Sequence, residues 1–534
     1  MADLPVFTYQ TRVHLQPQQD AALEAYAELY GKTERILFAE TQTGIKATAL
    51  KHEYRHRFGI TARQFNAIRI GLEGKVSSIK EQQTQLISDT GIGIRKAGKL
   101  AARLERTQPG SNKLHQKKRR LARLFERLKA MEDDRAHGSV RICFGGRKLF
   151  RAQFALEANG YKDHSEWKAD WLKSRSSQFF VLGSKDESAG NQSCQAGVEE
   201  DGTMRLKLRL PDAFSGTHGK FLLIPGLKFA YGHDAIVAAL ASSARVASTN
   251  AARKPIIKRT GTALSYRFAR DRKGWRVFVS LEARPVETVT RSQAGAIGID
   301  LNADHLAIAE TDRFGNLIAF DRIDCAVCGK TEAQAGAILG DAAAALAERA
   351  KRAGKPIVIE ELDFRPKKAE LESTDRRAAR MLSSFAYKKA GASIKSACFR
   401  AGVEVMEVNP AYTSVIGAVN HARSKGIPTH QGAAYAIARR GLGMSERPTC
   451  RVAVVPMRKG GHVTFALPAR NRVKHVWSHW SNVRTRLIAA QKAHFRCGAH
   501  KKPPPPLPRV NLDVCATGSP RCNSVASIAL STVR

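Results

Sequence analysis

The sequence predicts an α+β protein of several domains: a basic helical insertion, an antiparallel β-barrel, and a domain in which strands and helices alternate around a mixed sheet. Three observations predict it. Short runs that alternate apolar and polar residues, parted by turn residues, fill the middle of the chain. A long cationic helical pattern interrupts that series near its start. From residue 295 onward, strand and helix patterns take turns. At ~100–200 residues per domain, a chain of 534 residues holds about three domains.

Residues 6–15 (VFTYQTRVHL) alternate as a strand does. Pro17 then suits a first helical turn, and Leu23, Tyr26, Leu29 and Tyr30 follow at helical spacing through Phe38. Further helices are expected over 43–58 and 61–88. Pro109–Gly110 breaks the next stretch into a helical hairpin. Its second arm sets Leu121, Leu124, Phe125 and Leu128 on one face and Lys117, Lys118, Arg120 and Arg127 on the other. Between Arg95 and Lys129 basic residues crowd together, and the only acids are Glu105 and Glu126. Pairing along the helix cannot neutralise such an excess, so phosphate contact is expected there.

From Val140 the runs VRICFGGRKLF, FFVLGSKD, MRLKLRLP, LSYRFARD and WRVFVSLEARP read as antiparallel strands. Asp201–Gly202 and Lys273–Gly274 mark hairpin turns. A barrel is expected, with residues 1–16 supplying its first strand, 17–135 forming the helical insertion and 136–290 the rest. Residues 291–470 then read β-β-β-α-β-α-β-α. That is the order of an RNase H-like fold, whose first three strands are antiparallel. Residues 471–534 read as a basic, Pro-rich, partly disordered tail, with PPPPLP at 503–508.

The charge balance points to a partner. Lys and Arg number 88 against 48 Asp and Glu, a formal charge of +40, which favours a polyanion. The longest apolar stretch, 221–241, carries Lys228, His233 and Asp234 inside it, so no membrane partner is expected. The start, MADLPVFTYQTRV, lacks a signal-peptide pattern, and nine scattered cysteines do not suggest a disulfide framework. A cytoplasmic location, on the nucleoid when bound to DNA, is expected.

Two acids stand out. Asp300 ends the apolar run AIGID, and Glu360 lies near the end of IVIEEL. A carboxylate inside a buried strand is costly unless it is paired or metal-bound. Two-metal phosphodiester hydrolysis needs such clustered carboxylates, and an RNase H-like sheet supplies them from its first strand, fourth strand and last helix. Glu361 points to the opposite face.

GIDLNADHLAIAETDRFGN, PIVIEELDF and FAYKKAGASIKSACFRAGVEVMEVNPAYTS resemble the TnpB (OrfB) proteins of bacterial insertion sequences and the related type V CRISPR effectors. The resemblance covers about residues 290–445 closely. It implies an RNA-guided DNA endonuclease with one RuvC-like active site, a guide RNA and double-stranded target DNA as partners, and Mg²⁺ or Mn²⁺ as cofactor. Such chains are often labelled transposases. The family's acids carry over to Asp300 and Glu360, as catalytic residues and metal ligands. Its third acid position is held by His430, in HQGAAYAIARRG. Imidazole ligates a divalent ion or acts as general base, and Mn²⁺ tolerates it better than Mg²⁺ does. Glu446 lies ~24 Å further along a continuous helix, too far to substitute. The family's zinc ribbon is replaced by a short basic loop with His421, Arg423 and Lys425. Cys325 and Cys328 form one CxxC, two of the four ligands that structural zinc needs, so zinc is not expected. Arg439 and Arg440 on the last helix are candidates for phosphate contact or for ion pairs within the fold. Two alternatives remain: a cleavage-deficient RNA-guided DNA-binding protein like the type V-M effectors, or a transposase or recombinase built on the same core.

Overall fold

The computed structural model describes residues 4–242, 244–249, 255–361, 384–457 and 461–499. They fall into two compact units that divide at Val289.

The first unit begins with β1 (Val6–Arg12) and the helices α1 (Pro17–Gln42), α2 (Lys51–Phe58), α3 (Ala62–Thr107) and α4 (Asn112–Ala136). Local chemistry sets their ends. Pro17 opens α1, and the Gln19 side chain accepts from the Gln16 backbone at 2.8 Å. Thr61 and Gln64 exchange bonds at the start of α3, at 3.2 and 2.8 Å. Ser111 caps α4, and Gly110 at φ +76° turns the chain between the two arms. Gly44, at φ +91°, delays the helix expected from residue 43 until Lys51.

Next come α5 (Arg147–Ala152), α6 (His164–Arg175), β2 (Gln178–Val181), β3 (Cys194–Val198), β4 (Met204–Arg209), β5 (Phe221–Leu227), α7 (His233–Ala241), β6 (Ala244–Thr249), β7 (Pro255–Thr260), β8 (Ser265–Asp271) and β9 (Gly274–Glu282). The strand expected in VRICFGGRKLF is not formed. Gly145 and Gly146, both at positive φ, break the run, and its second half becomes α5.

The expected barrel is not formed either. Strands β1-β9-β8-β2 make one open antiparallel sheet, β3-β4-β5 a second and β6-β7 a hairpin. The helices explain why. Leu23, Tyr26, Phe65 and Ile68 of α1 and α3 share one core with Phe179, Leu206, Phe268 and Trp275 of the strands. Tyr26 stacks on Phe179 at 4.2 Å between ring centres. The helices thus cover the apolar sheet face that closure would otherwise bury. β1 pairs with β9, so the helices α1 to α4 lie in the chain between two paired strands.

The second unit holds β10 (Ile297–Leu301), β11 (His305–Thr311), β12 (Leu317–Asp324), α8 (Glu332–Ala353), β13 (Ile357–Glu360), α9 (Ser384–Ala401), β14 (Val405–Val408), α10 (Thr413–Ile416), α11 (Thr429–Gly441), β15 (Val452–Pro456), β16 (His462–Ala466) and α12 (Val476–Ala499). Its main sheet runs β12-β11-β10-β13-β14. β10, β11 and β12 are antiparallel, and β13 and β14 run parallel to β10. This mixed sheet is consistent with an RNase H-like domain.

Strand alternation sorts the two faces of that sheet. Ile297, Ile299, Ile357 and Ile359 pack with Leu346 and Ala350 of α8 and Ile394 and Cys398 of α9. Gly298 and Val358 face α11 instead. The hairpin β15–β16 and α12 close around Trp480, Val483 and Leu487. Helix α12 corrects the tail expected from residue 471, and residues 500–534, including the proline run, lie outside the described residues. Among the described residues no helix is long and apolar enough to cross a membrane.

Candidate functional site

Gly298 fixes how close α11 comes to the sheet. A Cβ there would lie 2.0 Å from the Ala434 carbonyl oxygen and 2.5 Å from the Ala438 nitrogen. With the helix seated on that glycine, its first turn lies beside Asp300, two residues further along the same strand face. The His430 Nδ1 proton is donated to Asp300 Oδ2 over 3.0 Å. The Asn302 side-chain amide donates to the same oxygen at 3.0 Å and to the Asp300 carbonyl at 3.2 Å. Asp300 is only 8% exposed, whereas the His430 side chain is 43% exposed. A buried carboxylate is thus joined to an imidazole that reaches solvent.

Glu360 ends β13. Ile299 pairs with Ile359 in parallel register, which puts Asp300 and Glu360 at the same level on neighbouring strands that lie ~4.8 Å apart across the sheet. The Glu360 carboxylate accepts a hydrogen bond from the hydroxyl of Thr413, a buried residue at the start of α10. The register therefore sets the two acids on neighbouring strands of one sheet. Asp300 and His430 are brought into contact. Among the described residues, however, no three His, Cys, Asp or Glu side chains stand close enough to hold one metal ion.

Three participants escaped the sequence reading. His305, at the start of β11 and 2% exposed, sets its ring edge-on to His430 with centres 5.1 Å apart. Its Nδ1 bonds Asp304 Oδ1 at 2.7 Å, and that bond holds the Asp304 carboxyl below the usual carboxylate range. The chain thus lines up carboxylate, imidazole, imidazole, carboxylate. The available signal was a histidine opening a run, HLAIA, that is otherwise apolar. Thr413 left no such signal. On α9, burial first and then the charges of Asp300 and Asp304 push the Tyr387 phenol up to about 12.

Glu446, excluded from the site by the sequence reading, and His421, Arg439 and Arg440 are engaged elsewhere. Helix α11 ends at Gly441 and the chain turns back, so Glu446 meets Arg439, whose Nε lies 2.5 Å away. That is nine residues, or ~13.5 Å, along the helix from His430. His421 is not part of an exposed basic loop. It is buried in a π-helical turn (Gly417–Ala422) and bonds Glu446 at 3.2 Å. Burial works to raise the Glu446 carboxyl, but the bonds and charges of His421 and Arg439 outweigh it and hold it at about 2. Arg439 also donates to the Gly315 carbonyl at 2.7 Å. Arg440 donates to the carbonyls of Asn409 and Ala411, and both arginines are thereby engaged inside the fold.

Arg423 and Lys425 are exposed in the segment just before α11. On α4, Lys118, Arg120 and Arg127 are exposed and Lys117 is partly so. Lys118 pairs with Glu105 at 2.7 Å. Phe125, expected on the buried face, is 53% exposed. Cys325 is buried against the sheet core and burial raises its thiol pKa, while Cys328 is exposed.

No protein-family model and no curated protein sequence matches the chain. Among solved structures, it is similar to Thermus thermophilus RuvC in complex with a Holliday junction substrate, at 17% identity over 27% of this chain and 88% of that one, with a TM-score of 0.20. A second structure of Thermus thermophilus RuvC gives 16%, 27%, 90% and 0.20. A cryo-EM structure of a CRISPR-Cas12f ternary complex gives 10% identity over 81% of this chain and 98% of that one, with a TM-score of 0.19. At such values the likeness to an RNase H-like domain rests on the strand order and register described above.

Proposed function

We propose that this chain binds nucleic acid and hydrolyses its phosphodiester bonds at the Asp300–Glu360–His430 end of the mixed sheet, as an RNA-guided, RuvC-like DNA endonuclease. One observation carries the reading. Asp300, on the central strand, bonds the His430 that opens the covering helix, and Glu360 stands level with it on the next strand.

Asp300 accepts a hydrogen bond from the Nδ1–H of His430 and so fixes the ring, leaving Nε2 as the nitrogen that would meet a divalent ion or a water. His305 limits ring rotation from the side. Arg423 and Lys425 carry positive charge beside the helix start and suit an incoming phosphate backbone. The donor set, two carboxylates and one imidazole, suits a divalent ion, Mn²⁺ better than Mg²⁺. Asp300, Glu360 and His430 would hold it, and when bound it would polarise the phosphate and stabilise the leaving oxygen. RNA guidance rests on the sequence resemblance, and the formal charge of +40 supports a polyanionic partner.

A second reading has its own observation. Glu360 is turned to Thr413, and no three-ligand group is formed among the described residues. That favours a protein that acts by occupying its target without cutting it. The deciding experiment is cleavage of plasmid DNA by protein co-expressed with its native flanking DNA, in Mg²⁺ and in Mn²⁺, beside Asp300→Ala and His430→Ala. Guide-dependent cuts, strongest in Mn²⁺ and lost in both variants, are expected. RNA-dependent binding with no cuts in either metal would leave only the occupancy reading.

A further inference from the structure

We propose that the α5–α6 segment of the first unit is a platform for single-stranded nucleic acid, holding bases on Phe150 and Phe154 and phosphates on Arg147, Lys148 and Arg151. It stands apart from the nuclease reading, because every residue of it belongs to the first unit.

The sequence RKLFRAQF interleaves two residue classes. Arg147 and Arg151 are four apart, and so are Phe150 and Phe154. Residues at that spacing are neighbours on a helix surface, where two like charges repel. Nothing in the fold relieves that repulsion: among the described residues Arg147, Lys148 and Arg151 make no ion pair. Instead they line an open cavity of about 430 Å³ together with Ala152 and Asn159. No carboxylate lines it. Of the acids nearby, Asp163 caps α6, Glu166 accepts from the Lys162 backbone and Asp170 accepts from Tyr161. Glu157 is the exposed acid that follows in sequence. An unpaired cationic hollow suits an anion.

The aromatic residues narrow down which anion. Trp167 is 5% exposed and donates its indole proton to the Leu149 carbonyl at 2.8 Å. From this fixed end, ring contacts run outward. Trp167 stacks on Trp171 with centres 5.9 Å apart, Trp171 meets Phe150 at 5.6 Å and Phe150 meets Phe154 at 6.2 Å. Phe150 is 43% exposed and Phe154 77%. The ladder is therefore anchored inside and open outside, next to the cationic hollow. Base stacking on such a ring beside a phosphate-tracking groove is how single strands are held without sequence reading. A duplex offers no open base face for it.

The test uses the full chain, with short oligouridylate, short oligothymidylate and a DNA duplex as probes. Phe154→Ala, at a side chain that supports no core, is expected to weaken single-strand binding roughly 5- to 100-fold and to leave duplex binding unchanged. Phe154→Trp restores it. The triple variant Arg147→Gln, Lys148→Gln, Arg151→Gln lowers the salt-dependence slope for single strands by about 2. Photo-crosslinks from either oligonucleotide are expected to map to Phe150, Phe154 or Trp171. Loss with either single strand supports the platform. Unchanged single-strand affinity in Phe154→Ala, an equal loss for duplex, or a loss only in binding to anionic vesicles would overturn it.

Discussion

Asp300 is buried at the middle of a sheet, and a buried carboxyl needs hydrogen-bond partners. Its partners are Asn302 and His430. Replacing the imidazole by a third carboxylate tests whether these side chains share a cation. In His430→Asp two carboxylates face each other across the former bond, and the metal-free protein is expected to lose about 1–4 kcal/mol by repulsion. Thermal unfolding should show that loss regained on adding Mg²⁺, with cleavage in Mg²⁺ rising alongside. A His430→Asp protein that Mg²⁺ does not restabilise would show that the three groups bind no common ion. Asp300 and Glu360 were legible because an acid inside an apolar run is conspicuous. His305 and Thr413 were not, since a polar residue at an element's first position is ordinary, and only packing brings them to the site.

At the scale of elements, the site depends on how closely α11 sits on β10. Gly298→Ala would drive a methyl group into the Ala434 carbonyl. It is expected to destabilise the second unit by about 1–3 kcal/mol and to abolish cleavage without touching a catalytic side chain. Urea unfolding and a cleavage assay check the two effects together. At its far end, α11 is tied to the following segment by Glu446 with His421 and Arg439. The Glu446 pKa falls from an ordinary 4.5 to about 2 on folding. A depressed folded value means stability that is full above pH ~4.5 and is lost as pH falls toward 2. Glu446→Gln should therefore cost roughly 2–3 kcal/mol at neutral pH, with the difference from wild type vanishing near pH 2 in urea titrations. Helix α12 is a different lesson. Trp480, Val483 and Leu487 have helical spacing, but the basic, polar residues around them in the sequence read as a tail.

For the molecule as a whole, charge governs behaviour. If α4 contacts duplex phosphates, the variant Lys117→Gln, Arg120→Gln, Arg127→Gln should reduce the salt-dependence slope by about 2–3, near 0.9 per lost contact. Fluorescence anisotropy across a salt series reads this directly, and an unchanged slope would remove α4 from the interface. Arg439→Gln is expected to behave in the opposite way. Its guanidinium is bonded to Glu446 and to the Gly315 carbonyl, so unfolding should ease while the slope stays where it was. The basic side chains thus divide into those that face solvent and those that hold the fold.

Charge excess, the apolar runs of β10 and β13, the insertion of a helical hairpin between paired strands and the order of the mixed-sheet domain all follow from local pattern. Residue type and period encode them directly. The sequence by itself therefore determined a strongly basic chain with two acids on adjacent central strands. Whether strands close into a barrel depends on what else covers their apolar face, and here the helices of the insertion do. Whether a histidine meets a carboxylate depends on how near a helix approaches a sheet, which Gly298 sets against residues more than a hundred positions away. Whether a cation is free or tied depends on carbonyls and acids from distant segments, as at Arg439 and Arg440. Those outcomes arise from contacts between parts of the chain that share no local period, so only the tertiary structure decided them.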